Sequence, residues 1–173
     1  MNSMARTLGI LFTMTTYGTW LRGDQRGWVD RGIVYPAMPA LEKHNRQLLK
    51  HEPFYFDTHQ LHEIGSMIGH ALRNRLNERI LALTVQPWHV HIVTMASVNH
   101  CSVIVKCAKD AVRWGLRPNQ AIWTTKYDKR FCFDAASLRA RIEYVERHNR
   151  VMNGPAKPWP FIEDVNDYLD SFT

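Results

Sequence analysis

Two short β-rich runs, RILALTV at 79–85 and HVHIVTMA at 89–96, stand either side of Pro87-Trp88. Both are short and rich in branched and apolar residues, and the break between them reads as the turn of an antiparallel hairpin. No other stretch constrains the fold as much, because a hairpin is marginal alone and needs further strands and helical cover. The rest of the chain supplies both. RTLGILFTMTT, residues 6–16, reads as a strand, and residues 121–133 as a strand pair or an irregular extended stretch. Residues 57–77 carry apolar side chains at 61, 64, 68, 72 and 76, a helical stripe with Asp57 or Thr58 as N-cap. Residues 102–115 are helical, with Val103, Ala108, Val112 and Trp114 as candidate buried positions, and Gly115 and Pro118 end them. Asp134 caps a helix to about Met152, whose buried stripe is Leu138, Ile142, Val145 and Met152; Asn153-Gly154-Pro155 stops it. Residues 39–51 form a short helix, and residues 16–32, rich in Gly, Trp and Arg, a long loop of the kind that usually carries function.

The order predicts an α+β fold: a ferredoxin-like βαββαβ antiparallel sheet with an appended helix. The chain has 173 residues, enough for one domain with a full core and no need of a disulfide or metal to fold. The expected division is a domain over 1–155 and a tail over 156–173 that ends in a short acidic helix. Cys101, Cys107 and Cys132 lack the spacing of a zinc knuckle and are odd in number, so reduced thiols and a cytoplasmic location are expected. No apolar run approaches the ~20 residues of a membrane span. Met1 to Leu8 lacks the long apolar core of a signal peptide.

The formal charge is +6 with a pI near 9.4, which makes nucleic acid the first partner to consider. The excess is local: 11 Lys/Arg against 5 Asp/Glu in residues 101–150, and 7 against 3 in residues 1–50. Lys126, Lys129 and Arg130 alternate with Trp123, Tyr127 and Phe131, and Arg22, Arg26 and Arg31 accompany Trp20 and Trp28. Cations that follow a phosphate backbone and rings that stack on unpaired bases suit single-stranded DNA, although Trp20, Trp28 and Trp123 serve equally well as core anchors.

Two groups of residues carry chemistry. His89 and His91 flank Val90 on a strand, so alternation puts both imidazoles on one face, about 7 Å apart at Cα. Burying them beside apolar neighbours is costly unless they gain partners. On the last helix Ser137, Arg141, Tyr144 and His148 form a polar stripe that sets Tyr144 and His148 one turn apart.

Together, PWHVHIV on a hairpin, the AIWTTKYDKRFCFD stretch, and RIEYVERHN some 50 residues after the histidines resemble the HUH endonuclease superfamily. The likeness is closest to its single-tyrosine transposases, the small insertion-sequence transposases and the REP-associated tyrosine transposases, and it spans roughly residues 6–152. It implies that His89 and His91 bind Mg²⁺ or Mn²⁺, that Tyr144 is the nucleophile, and that His148 stands where relatives place a third ligand, often Gln or Asn. A histidine there makes the site all-nitrogen, softer than Mg²⁺ favours and better suited to Mn²⁺. Asn149 and Glu143 remain open as alternatives. The resemblance further implies a homodimer and a single-stranded or hairpin DNA partner.

The expected activity is metal-dependent cleavage and strand transfer of single-stranded DNA through a 5′-phosphotyrosine. A tyrosine hydroxyl ionises only near pH ~10, so charge stabilisation at the phosphate is needed, to which Arg141 would add. Two rivals are a relative that binds hairpin DNA without cutting it and a non-catalytic ferredoxin-like module for RNA or protein.

Overall fold

The computed structural model describes residues 6–31 and 33–171. Residues 1–5, part of the stretch expected to lack a signal peptide, lie outside the described residues. A four-stranded antiparallel sheet has the order β4 (Ile80–Val85), β5 (His89–Met95), β1 (Gly9–Thr15), β6 (Asp128–Cys132). Helices α2 (Leu61–Leu76) and α3 (Cys101–Leu116) pack on each other and join the core on one face. Helix α4 (Ala135–Val151) covers the other. This is the expected βαββαβ order with an appended helix. Short α1 (Pro39–Gln47) buries no residue, and α5 (Val165–Asp170) closes the chain.

Strand alternation divides the sheet cleanly. Ile10, Phe12 and Met14 of β1, with Val90 and Ile92 of β5, pack under α2 and α3. Leu11 of β1 and Val93 and Met95 of β5 pack against Leu138, Ile142 and Val145 of α4. His89 and His91 have the parity of Val93, so both imidazoles point to the α4 side. Asp134 caps α4 by accepting from the Ser137 N–H at 2.7 Å. At its far end Asn153 adopts φ 61°, and the Gly154 N–H donates to Asn149 O.

Four details differ from the expectations. In α3 the buried positions are Ile104, Val105, Ala108 and Val112, while Val103 and Trp114 are exposed. The apolar residues span more than one stripe, and docking on α2 selects which stripe turns inward. In α4 Met152 falls just past the last turn and is exposed; Asn149 takes the buried place instead. The 16–32 stretch is not all loop, because β2 (Trp28–Asp30) pairs with β3 (Ile33–Tyr35), and Trp28 stacks on Tyr35 across the pair at 4.5 Å. Residues 121–133 hold one strand, β6, preceded by a single bridge from Trp123 to Thr16.

Residues 156–171 are integral to the packing. Trp159 and Phe161 belong to the core beside α2, and Tyr168 to the core beside α4. The rings lie on Gly65 and Gly69, one turn apart on α2, where a Cβ would overlap them. Tyr168 donates through its hydroxyl to Leu8 O at 2.7 Å.

Candidate metal and nucleophile site

The pairing of β1, β5 and α4 builds the site. Thr13 pairs with His91 in register, and Thr15 with His89. Thr13 Oγ1 lies 2.8 Å from His91 Nδ1; a hydroxyl both donates and accepts, and where it accepts from Nδ1–H the ring keeps Nε2 unprotonated. Helix α4 crosses above, locked by Asn149, whose buried amide donates to Leu83 O at 2.9 Å and Ala156 O at 3.0 Å. That lock turns Tyr144 and His148 toward the strand. His89, His91 and His148 then offer ligand nitrogens that all lie within 4.8 Å of one another. Tyr144 Oη lies 3.4 Å from His91 Nε2, and the Tyr144 and His148 rings are 4.9 Å apart.

Of the three candidates for a third ligand, only His148 joins this group. Asn149 spends both amide hydrogens on backbone carbonyls, and Glu143 is paired with Arg150 at 2.8 Å. Tyr144 and the three histidines approach one another within a single chain.

Electrostatics favour neutral imidazoles. Burial, then the neighbouring His148 and Arg26, push His89 down to about 3. Burial, then His89 and His148, push His91 down to about 2. His148 is lowered as well, by burial and then by Arg147. Neutral imidazole is the form that ligates a metal. Nδ1 of His89 and Nε2 of His148 are buried with no hydrogen-bond partner, an arrangement that costs stability unless something fills it. A divalent cation fits this donor set, and the all-nitrogen set suits Mn²⁺ or a borderline ion such as Zn²⁺ better than Mg²⁺.

A cleft of about 820 Å³ adjoins the histidines. Tyr144, Arg141, Lys126, Tyr127 and Arg130 line one part of it, and Trp20, Arg22, Trp28 and Arg31 another. The two basic segments, within residues 1–50 and 101–150, therefore meet at this cleft. Lys129 does not line the cleft: it pairs in register with Phe12, so its side chain starts on the α2–α3 face, and its Nζ sits over Phe131. Trp123 is also structural, donating to Lys109 O and packing on Phe56. Trp28 is buried, and the Arg22 guanidinium lies 5.0 Å from its ring centre.

Sequence reasoning missed the supports of the site. Arg26 grips buried Asp24 through two bonds of 2.7 and 2.6 Å and lies 4.4 Å over Trp88, whose ring touches His89. The guanidinium's hydrogen bonds hold the Asp24 carboxyl below its usual range. Thr13 and Gln86 are equally silent in the sequence, and Asn149, read there as an alternative ligand, gives no sign of its locking role, because each bonds a partner more than 60 residues away.

No family model and no curated protein matches this chain. Among solved structures, a REP-associated tyrosine transposase bound to a REP hairpin superposes with a TM-score of 0.54. The match covers 90% of this chain and 76% of that one at 14% identity. The likeness is one of architecture: this chain has the fold of a tyrosine transposase, written in a largely different sequence.

Proposed function

We propose that the chain is an HUH-type DNA endonuclease and strand transferase that cuts single-stranded or hairpin DNA with Tyr144 as nucleophile. The observation that carries this reading is the tyrosine hydroxyl 3.4 Å from His91 at a point where three neutral histidines converge. The fold shared with a transposase that was solved on a DNA hairpin supports it, as does the basic cleft beside the site.

His89, His91 and His148 would hold Mn²⁺ or Mg²⁺, which supplies positive charge beside the scissile phosphate where negative charge builds. Arg141, on the same helix as Tyr144, adds charge at that position. Lys126, Arg22 and Arg130 hold the phosphate backbone, and the exposed face of Trp20 stacks on an unpaired base. Tyr144 Oη attacks phosphorus and its proton passes to water. The P–O3′ bond breaks, and the 3′ oxygen takes up a proton and leaves as a hydroxyl. The phosphate stays on Tyr144 as a 5′-phosphotyrosine. One phosphoester replaces another, so a second 3′-hydroxyl can rejoin the strand without ATP.

A labelled hairpin oligonucleotide with Mn²⁺ is expected to give a protein–DNA adduct that survives a denaturing gel, with the DNA mapped to Tyr144. Tyr144→Phe should bind the oligonucleotide and form no adduct, and a chelator should abolish the adduct in the unaltered chain. Cleavage by Tyr144→Phe, or cleavage by water without an adduct, would sink the reading.

A further inference from the structure

We propose that Gln86 is a positioning residue that decides which ring nitrogen of His148 carries the proton, and thereby whether His148 can bind a cation. The proposal rests on the reading of His89, His91 and His148 as a cation site. Gln86 sits where β4 turns into β5, and its backbone N–H donates to His89 O at 2.8 Å. The turn that presents His89 thus anchors Gln86 too. The amide nitrogen of Gln86, Nε2, lies 2.9 Å from His148 Nδ1. The opposite ring nitrogen, Nε2, is buried with no partner, and His148 is one of the three converging histidines.

An amide offers a donor and an acceptor in nearly the same shape, and a neutral imidazole has one of each. With the Gln86 NH₂ toward Nδ1, the ring proton sits on Nε2. His148 then presents a buried N–H without an acceptor and no lone pair for a cation. With Gln86 Oε1 toward Nδ1, the ring donates Nδ1–H to the amide and Nε2 keeps its lone pair. The first arrangement is the one placed here; a ligating histidine needs the second, which a half-turn of the amide about its last bond supplies, and such an outer partner then fixes both tautomer and ring direction. Thr13 stands in the same relation to His91. Each of these two histidines therefore has a polar side chain able to accept a hydrogen bond at its Nδ1, Thr13 as placed and Gln86 once its amide turns over, and Gln86 couples the α4 ligand to the strand hairpin.

The experiment uses the full chain with Zn²⁺, a diamagnetic probe, and no DNA, so it does not depend on cleavage. Zn²⁺ affinity is measured by competition with a chromophoric chelator for the unaltered chain, Gln86→Leu, Gln86→Glu and His148→Ala. Gln86→Leu is expected to weaken binding by about 10- to 100-fold. Gln86→Glu, which can only accept at that position, should bind at least as tightly as the unaltered chain. Ring ¹⁵N spectra of the Zn²⁺-loaded unaltered chain should show His148 protonated at Nδ1, a readout that needs no variant to fold. Unchanged affinity in Gln86→Leu, or an unprotonated Nδ1 in the loaded chain, overturns the proposal. If His148→Ala loses affinity while Gln86→Leu does not, Gln86 alone is misassigned; if His148→Ala loses none, the three-histidine site falls with it.

Discussion

His89 and His91 are separated by one residue, and that alternation alone puts them on one side of a strand. What makes them unusual is burial: both are almost wholly inside the protein, neutral, and beside a third imidazole. The consequence for stability has a definite sign. In the unfolded chain a histidine protonates near 6.5, whereas the folded values for His89 and His91 are about 3 and about 2. As pH falls through that interval the unfolded state binds protons that the folded state refuses, so stability is full above about 6.5 and declines below it. Each histidine contributes a slope of about 1.4 kcal/mol per pH unit. Urea unfolding of the metal-free protein at pH 7, 6 and 5 is expected to show this loss, and His91→Asn should flatten it. An identical slope in that variant would mean that His91 is already charged in the fold. Mn²⁺, by binding only the folded form, should raise the unfolding midpoint at pH 7 in a concentration-dependent way.

The elements divide into those readable from their own residues and those defined by what they touch. Strands β1, β4 and β5 are runs of branched and apolar residues, and their steric preference for extended backbone is local. The caps of α4 are local too: Asp134 at one end, Asn153-Gly154 at the other. Helix α3 shows where local pattern stops. Val103 and Ile104 are equally apolar, and only the groove offered by α2 chooses Ile104. Gly65 and Gly69 look like weaknesses in α2, yet they make room for Trp159 and Phe161. Gly69→Ala is therefore expected to destabilise by about 1–3 kcal/mol through overpacking, although alanine is the better helix former by about 1 kcal/mol. A denaturant midpoint that rises in Gly69→Ala would refute the close contact with Phe161. Asn149→Ala should cost a similar ~1–3 kcal/mol by leaving Leu83 O and Ala156 O without their donor. It should also weaken adduct formation, because α4 loses its lock on the strand.

For the molecule as a whole, the sheet order brings two distant basic segments to one cleft. Oligonucleotide affinity should fall linearly on log axes as salt rises, with a slope of about −0.7 per phosphate neutralised on a single strand. Lys126→Ala, in the cleft, is expected to reduce the slope by about that one increment, whereas Lys129→Ala, on the opposite face of the sheet, should leave it unchanged. Equal effects from the two substitutions would argue against the cleft as the DNA path. The placement of those lysines marks the boundary of what the sequence by itself determined. Composition and charge pointed to nucleic acid, alternation aligned His89 with His91, and helical spacing aligned Tyr144 with His148, because backbone sterics act over a few residues and leave a period of two or 3.6. Only the tertiary structure decided that the strand face and the helix face are the same place, that β1 brings Thr13 to His91, and that His148 rather than Asn149 or Glu143 stands beside His89 and His91. Those choices depend on how α4, β5 and the segment around Trp159 pack together. Packing sums many small contacts between residues far apart in the chain, and no window of sequence contains them.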